Sequence, residues 1–121
     1  MNNLNKTIGY HGEDIICKYY LKNGYIILDR NFRNRFGEID LIAKKDDVII
    51  FIEVKSRYNS SFGFPCESIS PSKQRNIKLL SKFYLSFKKL TNVYIRYDVA
   101  EVFLNYYDEK YKINIIEDAF R

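Results

Sequence analysis

The sequence predicts an α/β fold with one helix, three strands, a second helix and two final strands, in the order αβββαββ. Two segments place apolar residues at intervals of three and four, the spacing of a helix with one buried face. Five shorter segments are rich in Ile, Val and aromatic residues and are bounded by polar turn residues, as strands are. This order predicts a three-layer α/β sandwich around a sheet of mixed strand direction.

The first half of the chain predicts a helix and a three-stranded unit. The helix runs from about Lys6 to Lys22, and Asn23-Gly24 supplies its C-terminal stop. Tyr25 to Phe32 is predicted as the first strand. The next two strands, Phe36 to Lys44 and Val48 to Ser56, are separated by a short polar segment and therefore predict a β-hairpin.

The second half predicts a long loop, a helix and two strands. Arg57 to Ser70 shows no clear periodicity, and connections of that length in compact domains are often functional. A serine N-cap followed by Pro71 begins a helix that extends to about Leu90. The predicted buried stripe of this helix consists of Ile77, Leu80, Tyr84 and Phe87. The last two strands are Val93 to Leu104 and Tyr111 to Glu117.

Length and composition restrict the class of protein. A chain of 121 residues that is 46% hydrophobic is expected to form one domain over residues 1–121. Cys17 and Cys66 are too few for a disulfide framework or a metal cluster, so we expect reduced thiols. The N-terminus lacks the apolar stretch of a secretory signal. The longest apolar run, Val48 to Ile52, is far shorter than the ~20 residues of a membrane helix. We therefore expect a cytoplasmic protein with no membrane partner.

Positive charge is concentrated in the second predicted helix. The formal net charge of +5 favours polyanionic partners, because phosphates release counterions when they bind basic side chains. Pro71 to Leu90 contains six Lys and Arg residues and no acid. Arg75, Lys78, Lys82 and Lys89 are predicted to share one stripe opposite the apolar one, while Arg30 lies among the arginines around the hairpin. The predicted contacts with a nucleic-acid backbone are Arg33, Arg35, Arg57, Lys73, Arg75, Lys78 and Lys82. A solvated face is the alternative, although such faces usually mix both charge signs.

The predicted hairpin carries two acids that are expected to meet. Side chains alternate along strands, which puts Glu38, Asp40 and Ile42 on one face and Ile39, Leu41 and Ala43 on the other. If Asp46-Asp47 is a two-residue loop, Asp40 lies directly opposite Glu53, with Cβ atoms roughly 4.5–5.5 Å apart. Such carboxylates raise each other's pKa unless a cation neutralises them. Mg²⁺ is commonly held by one or two carboxylates together with water and phosphate oxygens.

Lys55 is the third predicted member of this site. It follows Glu53 by two residues and is therefore predicted on the same face. There its ammonium group would orient or help deprotonate a bound water, or stabilise charge that develops on a phosphate. The alternative is a surface ion pair between Lys55 and Asp40 or Glu53.

Two further polar residues are expected to be structural. His11 is predicted on the surface of the first helix, and Asp98 is predicted in an ion pair within its strand.

The hairpin segments resemble a known family. Gly37-Glu38-Ile39-Asp40-Leu41-Ile42-Ala43 and Phe51-Ile52-Glu53-Val54-Lys55-Ser56-Arg57 resemble the YraN-like family of uncharacterised bacterial proteins. That family is similar to the restriction-endonuclease-like superfamily, whose core carries an Asp and then Glu-x-Lys on the next strand. The resemblance extends over nearly the whole chain. The other matching segments are Gly9-x-x-Gly12-Glu13, Arg30-Asn31-Phe32-Arg33, Phe62-Gly63-x-Pro65, Lys73 with Arg75, Arg96-Tyr97-Asp98-Val99 and Asp118-Ala119-Phe120.

The resemblance implies the restriction-endonuclease-like αβββαβ core and its two-carboxylate metal site. It also implies that archaeal Holliday-junction resolvases are structural relatives, and it is compatible with a homodimer. An acid of the first helix can join the metal site in that superfamily, which maps to Glu13. Glu13 shares a helical side with Ile16 and Tyr20, and Gly9 and Gly12 would let the helix approach the sheet closely. An exposed first-turn acid, favoured by the helix dipole, is the alternative for Glu13.

Three functions follow as hypotheses. The first is a Mg²⁺- or Mn²⁺-dependent endonuclease acting on DNA, including branched or recombination intermediates. Its predicted catalytic residues are Asp40, Glu53 and Lys55, and its predicted metal ligands are Glu13, Asp40 and Glu53. The second is a non-catalytic nucleic-acid-binding module of the same fold. The third is a protein-interaction domain that docks through Tyr58 to Phe64.

Overall fold

The computed structural model of the chain describes residues 2–58, 69–105 and 109–121, with side chains from residue 11 onward. It confirms the predicted order αβββαββ. The elements are α1 (Asn2–Lys22), β1 (Ile26–Asn34), β2 (Gly37–Lys45), β3 (Val48–Tyr58), α2 (Pro71–Phe87), β4 (Tyr94–Leu104) and β5 (Tyr111–Phe120).

The five strands form one sheet in the order β1-β2-β3-β4-β5. All neighbouring strands are antiparallel except β3 and β4, which run parallel. Parallel neighbours need a crossover connection, and α2 lies in that connection and packs on one face of the sheet. Helix α1 packs on the other face. The predicted three-layer arrangement with a mixed sheet is therefore confirmed.

Each face of the sheet has its own apolar core. The α1-side cluster includes Ile16, Tyr20, Leu41, Ile52 and Val102. The α2-side cluster includes Ile39, Phe51, Ile77, Leu80 and Tyr84. Gly12 brings α1 close to β3, because a Cβ at that position would collide with the side chain of Ser56. The close approach expected of this glycine is confirmed.

The end of α2 differs from its prediction. The helix ends at Phe87, not near Leu90, because Lys89 adopts a left-handed φ of 54°. The N–H of Leu90 then donates to the carbonyl of Leu85 across this turn, as in a Schellman motif. Two predictions about this end of the chain segment are wrong. Lys89 is not on the basic stripe of the helix, and Phe87 is 63% exposed instead of buried.

The start of α2 agrees with its prediction. Pro71 occupies the first turn, and the side-chain oxygen of Ser70 accepts a hydrogen bond from the backbone N–H of Lys73 at 3.1 Å. This cap determines where α2 begins. Within the described ranges, neither helix has the length and apolar character needed to cross a bilayer.

Candidate active site at the fork between β2 and β3

The two central antiparallel strands separate at one end of the sheet. The β2–β3 pairing runs from Lys45 and Val48 to Leu41 and Ile52, so the turn at residues 46–47 has the predicted two residues. Beyond this point β2 stays paired with β1, and β3 stays paired with β4. The next residues in the register are Asp40 and Glu53. We call the opening between them the fork.

The alternation of side chains breaks at the fork. Leu41 packs in the α1-side cluster, but Ile39, two residues earlier, packs in the α2-side cluster. The prediction that Ile39 shares a face with Leu41 and Ala43 is therefore wrong. On β1, opposite this point, Asn31 has a φ of 54° and the register passes from Arg30–Leu41 to Phe32–Ile39 without an intervening pair.

This break turns the carboxylate of Asp40 toward β3. Its Oδ2 accepts a hydrogen bond from the backbone N–H of Val54 at 2.8 Å. The carboxylate therefore occupies the place where the next ladder hydrogen bond would form, and it satisfies a backbone donor that the diverging strands leave without a partner. Asp40 thus takes part in the local backbone structure as well as in the site.

Asp40 and Glu53 form a pair of like charges that repel each other. Glu53 is 8% exposed and Asp40 is half-buried. Burial, and then the negative charge of Glu53, raise the pKa of Asp40 to about 7, although the N–H of Val54 acts in the opposite direction. The carboxylates of Glu13 and Glu38 raise the pKa of Asp40 further. Asp40 therefore binds a proton more readily than an ordinary aspartate, which indicates that a cation would be favoured there.

Lys73 supplies a cation to this pair. Its Nζ lies 2.6 Å from Oε1 of Glu53. Partial burial alone would lower the pKa of Lys73, but the contact with Glu53 and the charge of Asp40 raise it above its ordinary value. The sequence predicted that Lys73 would contact a nucleic-acid backbone, whereas the structure places this side chain on an acid of the fork.

Lys55 lies on β3 beyond the fork. The pairing of β3 with β4 is regular along its length, so Glu53 and Lys55 project from the same face, the one covered by α2. Lys55 is half-buried, and its partner in the parallel ladder is Glu101. The geometry of β3 therefore agrees with the predicted grouping of Glu53 and Lys55.

Glu101 is an acid that the sequence analysis missed. It is 2% exposed, and its Oε1 accepts a hydrogen bond from the side-chain amide of Asn114 at 2.9 Å. Its Oε2 is buried and has no hydrogen-bond partner. The available signal was an acid with apolar residues, Ala100 and Val102, on either side of it. Its place beside Lys55 needed the register of β3 with β4.

Glu13 approaches from α1. It is buried, and because α1 begins at Asn2 it does not belong to the first turn of the helix, so the alternative of an exposed first-turn acid is wrong. Nη2 of Arg30 lies 3.7 Å from Oε1 of Glu13, an oxygen without a hydrogen-bond partner. Burial raises the pKa of Glu13, while Asn31 and Arg30 oppose the increase.

The acids of the site do not form a complete set of protein ligands. Among residues 2–58, 69–105 and 109–121, no three His, Cys, Asp or Glu side chains are grouped so that they could hold one metal ion. The structure thus brings Asp40 and Glu53 together and leaves Glu13 outside a common ligand group.

The other predicted phosphate contacts are distributed around the fork and α2. Arg75 and Lys82 are exposed on α2, whereas Lys78 is half-buried and donates to the backbone carbonyl of Arg121. On the β1 side, Nη2 of Arg33 lies 3.6 Å from Oε1 of Glu38, and the guanidinium of Arg35 lies 5.0 Å from the ring centre of Phe36. Arg57 is half-buried near the end of β3. Arg75 and Lys82 are therefore the predicted contacts of α2 that face solvent.

The remaining predicted residues have simple outcomes. His11 is exposed on α1, as predicted. Asp98 forms the predicted ion pair, with its Oδ1 2.9 Å from Nε of Arg96. Cys17 is a free thiol. Cys66, the segment 62–65 and most of the predicted docking loop after Tyr58 lie outside the described residues.

The chain is similar to known proteins over its whole length. The sequence model of "Uncharacterised protein family UPF0102" matches residues 12–102, which include every acid of the fork. A UPF0102 protein of Clostridium botulinum is 52% identical over 121 residues, covering 100% of this chain and 99% of the relative. UPF0102 proteins of Clostridium beijerinckii and Clostridium perfringens are 50% and 52% identical over the same length, and 98% and 99% of those relatives are covered. These names state no activity.

Proposed function

This chain belongs to the uncharacterised protein family UPF0102, and we propose that it is a metal-dependent endonuclease that hydrolyses phosphodiester bonds in DNA. The observation that carries the proposal is the carboxylate pair of the fork. Asp40 and Glu53 lie next to each other in a partly desolvated opening, where burial and the charge of Glu53 raise the pKa of Asp40. Groups whose pKa values are shifted by burial and by a neighbouring charge are concentrated at functional sites.

Lys73 supports the proposal because it marks the fork as a place that attracts cations. Its ammonium group already lies on Glu53 and interacts with the charge of Asp40. Since Lys73 is half-exposed at the start of α2, its side chain has room to withdraw when another cation enters. A divalent ion carries twice the charge of the ammonium and would neutralise both carboxylates together.

The residues present fit Mg²⁺ or Mn²⁺. Asp40 and Glu53 would hold the ion, with water and substrate phosphate as further ligands, a common arrangement for Mg²⁺. Glu13 lies outside a common ligand group with these two acids, so joining the ion as a third ligand would require its side chain to turn from α1 toward the fork. When bound, such an ion supplies Lewis-acid polarisation of the phosphate and lowers the pKa of a water.

The chain's own residues would prepare the substrate for hydrolysis. Lys55 would stabilise the negative charge that develops on the phosphate and hold the attacking water in line. The buried carboxylate of Glu101 lies beside Lys55 in the sheet, as its partner in the parallel ladder. The hydrogen bond from Val54 holds the carboxylate of Asp40 in place before substrate arrives. Together these residues would position a phosphodiester and a water.

The basic side chains around the fork and on α2 would bind the DNA backbone. Arg33, Arg35, Arg57, Arg75, Lys78 and Lys82 are the proposed contacts, with Lys73 moving from Glu53 to a phosphate when the ion binds. Such contacts position a backbone without reading its sequence. Branched and recombination intermediates are therefore proposed substrates. A cytoplasmic location and a homodimer are further expectations.

Cleavage assays test the proposal. Linear and branched DNA would be incubated with Mn²⁺ and with the wild type or with Asp40→Ala, Glu53→Ala or Lys55→Ala. We expect each substitution to lower the cleavage rate by at least about 10²-fold, because each removes a charge that acts in the transition state. Asp47→Ala is the matched control, since Asp47 is an exposed acid in the hairpin turn at the other end of β2 and β3. Cleavage that survives all three site substitutions rejects the assignment.

The second candidate function is a nucleic-acid-binding module without catalysis. The 2.6 Å contact between Lys73 and Glu53 favours it, because this ion pair neutralises Glu53 without any metal. Titration calorimetry separates the two functions. The nuclease proposal requires heat on addition of Mn²⁺ to the wild type and its loss in Glu53→Ala, whereas a binding module gives salt-sensitive DNA binding and no such heat.

A further inference from the structure

An exposed apolar stripe runs along α2 next to its basic side chains. Leu79, Phe83 and Phe87 are 48%, 49% and 63% exposed and follow one another at intervals of four residues. We call these three residues the aromatic stripe, after the rings of Phe83 and Phe87. At helical spacing they lie between the buried side of α2 and the solvent side that carries Arg75 and Lys82. Contiguous exposed apolar side chains of this kind mark binding sites.

The rings of the stripe pack against neighbouring aromatic rings. The rings of Phe83 and Phe87 are stacked, with centroids 6.1 Å apart and an angle of 17° between their planes. On the β1 side, the ring of Phe32 lies 6.3 Å from that of Phe83 and supports it. Both rings therefore have an aromatic neighbour on one side, while about half of each remains accessible. A preformed aromatic surface loses little conformational entropy when it binds a flat partner.

The charge of α2 selects the class of partner. The helix carries Lys73, Arg75, Lys78 and Lys82 and no acidic residue. A second copy of this chain would bring an equally basic helix against the stripe, and three side chains form a small area for a stable dimer. A single nucleic-acid strand suits both features, because its phosphates match the basic side chains and its unpaired bases stack on aromatic rings.

The stripe lies on the same helix as the lysine that contacts the fork. Lys73, whose ammonium group contacts Glu53, lies in the first turn of the same helix. At 1.5 Å per residue, Phe83 and Phe87 are about 15 and 21 Å farther along the helix axis. A strand that leaves the fork along α2 would therefore reach both rings within a few nucleotides.

We infer that the aromatic stripe binds the unpaired bases of a single-stranded DNA segment adjacent to the bond at the fork. This inference rests on the proposed function and narrows its substrate class. The preferred substrates are then flaps, gaps and branched structures with an unpaired arm, and continuous duplex is a poorer ligand because its bases are stacked on one another.

The test is DNA binding without divalent ions, by fluorescence anisotropy in EDTA. The probes are a labelled thymidine homopolymer and a labelled duplex. The double variant Phe83→Leu with Phe87→Leu keeps apolar bulk and removes both rings. We expect it to bind the single strand at least about fivefold more weakly, with duplex affinity unchanged, since base–ring stacking contributes about 1–3 kcal/mol per base. The salt dependence of single-strand binding stays as in the wild type, because no charge is removed.

Two controls accompany the double variant. Tyr94→Leu removes an aromatic ring that is 69% exposed at the start of β4, and we expect it to leave single-strand affinity unchanged. Arg75→Gln with Lys82→Gln should weaken both probes and reduce the salt dependence. Thermal unfolding of each variant verifies that the fold is retained.

Three results would overturn the inference. They are equal weakening of single-strand and duplex binding by the double variant, unchanged single-strand binding, and a wild-type dimer that the double variant converts to a monomer. The last result would assign the stripe to a second copy of the chain.

Because the assay contains no divalent ion, it is independent of cleavage. A protein that binds single strands through the rings but never cuts DNA contradicts the nuclease proposal alone, and one that cuts DNA without using the rings contradicts this inference alone.

Discussion

Asp98 on β4 and the acids of the fork are buried in opposite electrostatic environments. Asp98 is 1% exposed, and its carboxylate accepts four hydrogen bonds. The donors are the hydroxyl of Tyr20, Nε and Nη2 of Arg96, and the backbone N–H of Asp118. At the fork, Asp40 instead faces the like charge of Glu53.

The difference separates an acid that stabilises the fold from acids that are held ready for a ligand. The network around Asp98 ties α1, β4 and β5 together through charge-assisted hydrogen bonds. At the fork, Asp40 and Glu53 repel each other, and Lys73 contacts Glu53. Burial alone therefore does not identify the function of a carboxylate, whereas the state of its hydrogen bonds and neighbouring charges does.

The largest expected effect is the loss of stability when Asp98 is replaced. Asp98→Ala leaves Arg96 and the hydroxyl of Tyr20 without their main acceptor, so the free energy of unfolding should fall by about 3–5 kcal/mol. Urea denaturation measures this change. The control is Glu117→Ala, since this more exposed acid lies 3.8 Å from Nη1 of Arg96 and its loss should lower stability by less than about 1 kcal/mol. Similar losses of unfolding free energy in both variants would show that the buried network stabilises the fold no more than an exposed ion pair does.

A smaller effect of opposite sign is expected at the fork. The pKa of Asp40 is raised from 3.8 to about 7 by folding, so the folded protein binds this proton more tightly than the unfolded chain does. The stability of the wild type should therefore fall as pH rises from about 4 to about 7. Asp40→Asn removes this contribution, and near pH 8 it should be more stable than the wild type by on the order of 1–3 kcal/mol.

Urea denaturation at several pH values, without divalent ions, measures the gain. The advantage of Asp40→Asn should shrink steadily toward about pH 4, because the wild-type carboxyl is then protonated in the folded state. Asp47→Asn, in the exposed hairpin turn, is the control and should show no pH-dependent gain. A loss of stability near pH 8 in Asp40→Asn would contradict the assignment of the fork as a pair of repelling charges.

The smallest effect concerns the cation at the fork. Lys73→Gln removes the ammonium group that competes with a divalent ion for Glu53. Calorimetry should then show Mn²⁺ binding roughly 3- to 10-fold tighter than in the wild type, a change of about 1 kcal/mol. Lys82→Gln, farther along the same helix and exposed, should leave the affinity unchanged. Weaker binding in Lys73→Gln would mean that Lys73 supports the ion instead of replacing it.

Much of the fold could be predicted because its signals are local. The two-residue turn at residues 46–47 between two apolar runs determines the hairpin register, and that register puts Asp40 next in line with Glu53. The cap of Ser70 and Pro71 likewise determines where α2 begins. The site was predicted less completely. Glu101 was missed because its position beside Lys55 depends on the pairing of β3 with β4. These two strands are neighbours in the sheet, but a whole helix lies between them along the chain.

The sequence by itself determined the order of the elements, the register of the hairpin and the neighbouring positions of Asp40 and Glu53. These depend on the periodicity of side chains along a strand or helix and on short turns, which act within a few residues. Only the tertiary structure decided how Asp40 turns toward Val54 and why Lys73 contacts Glu53. Both contacts depend on where β2 and β3 separate and on which helix covers the opening between them. These features arise from the packing of several segments, so no one segment determines them.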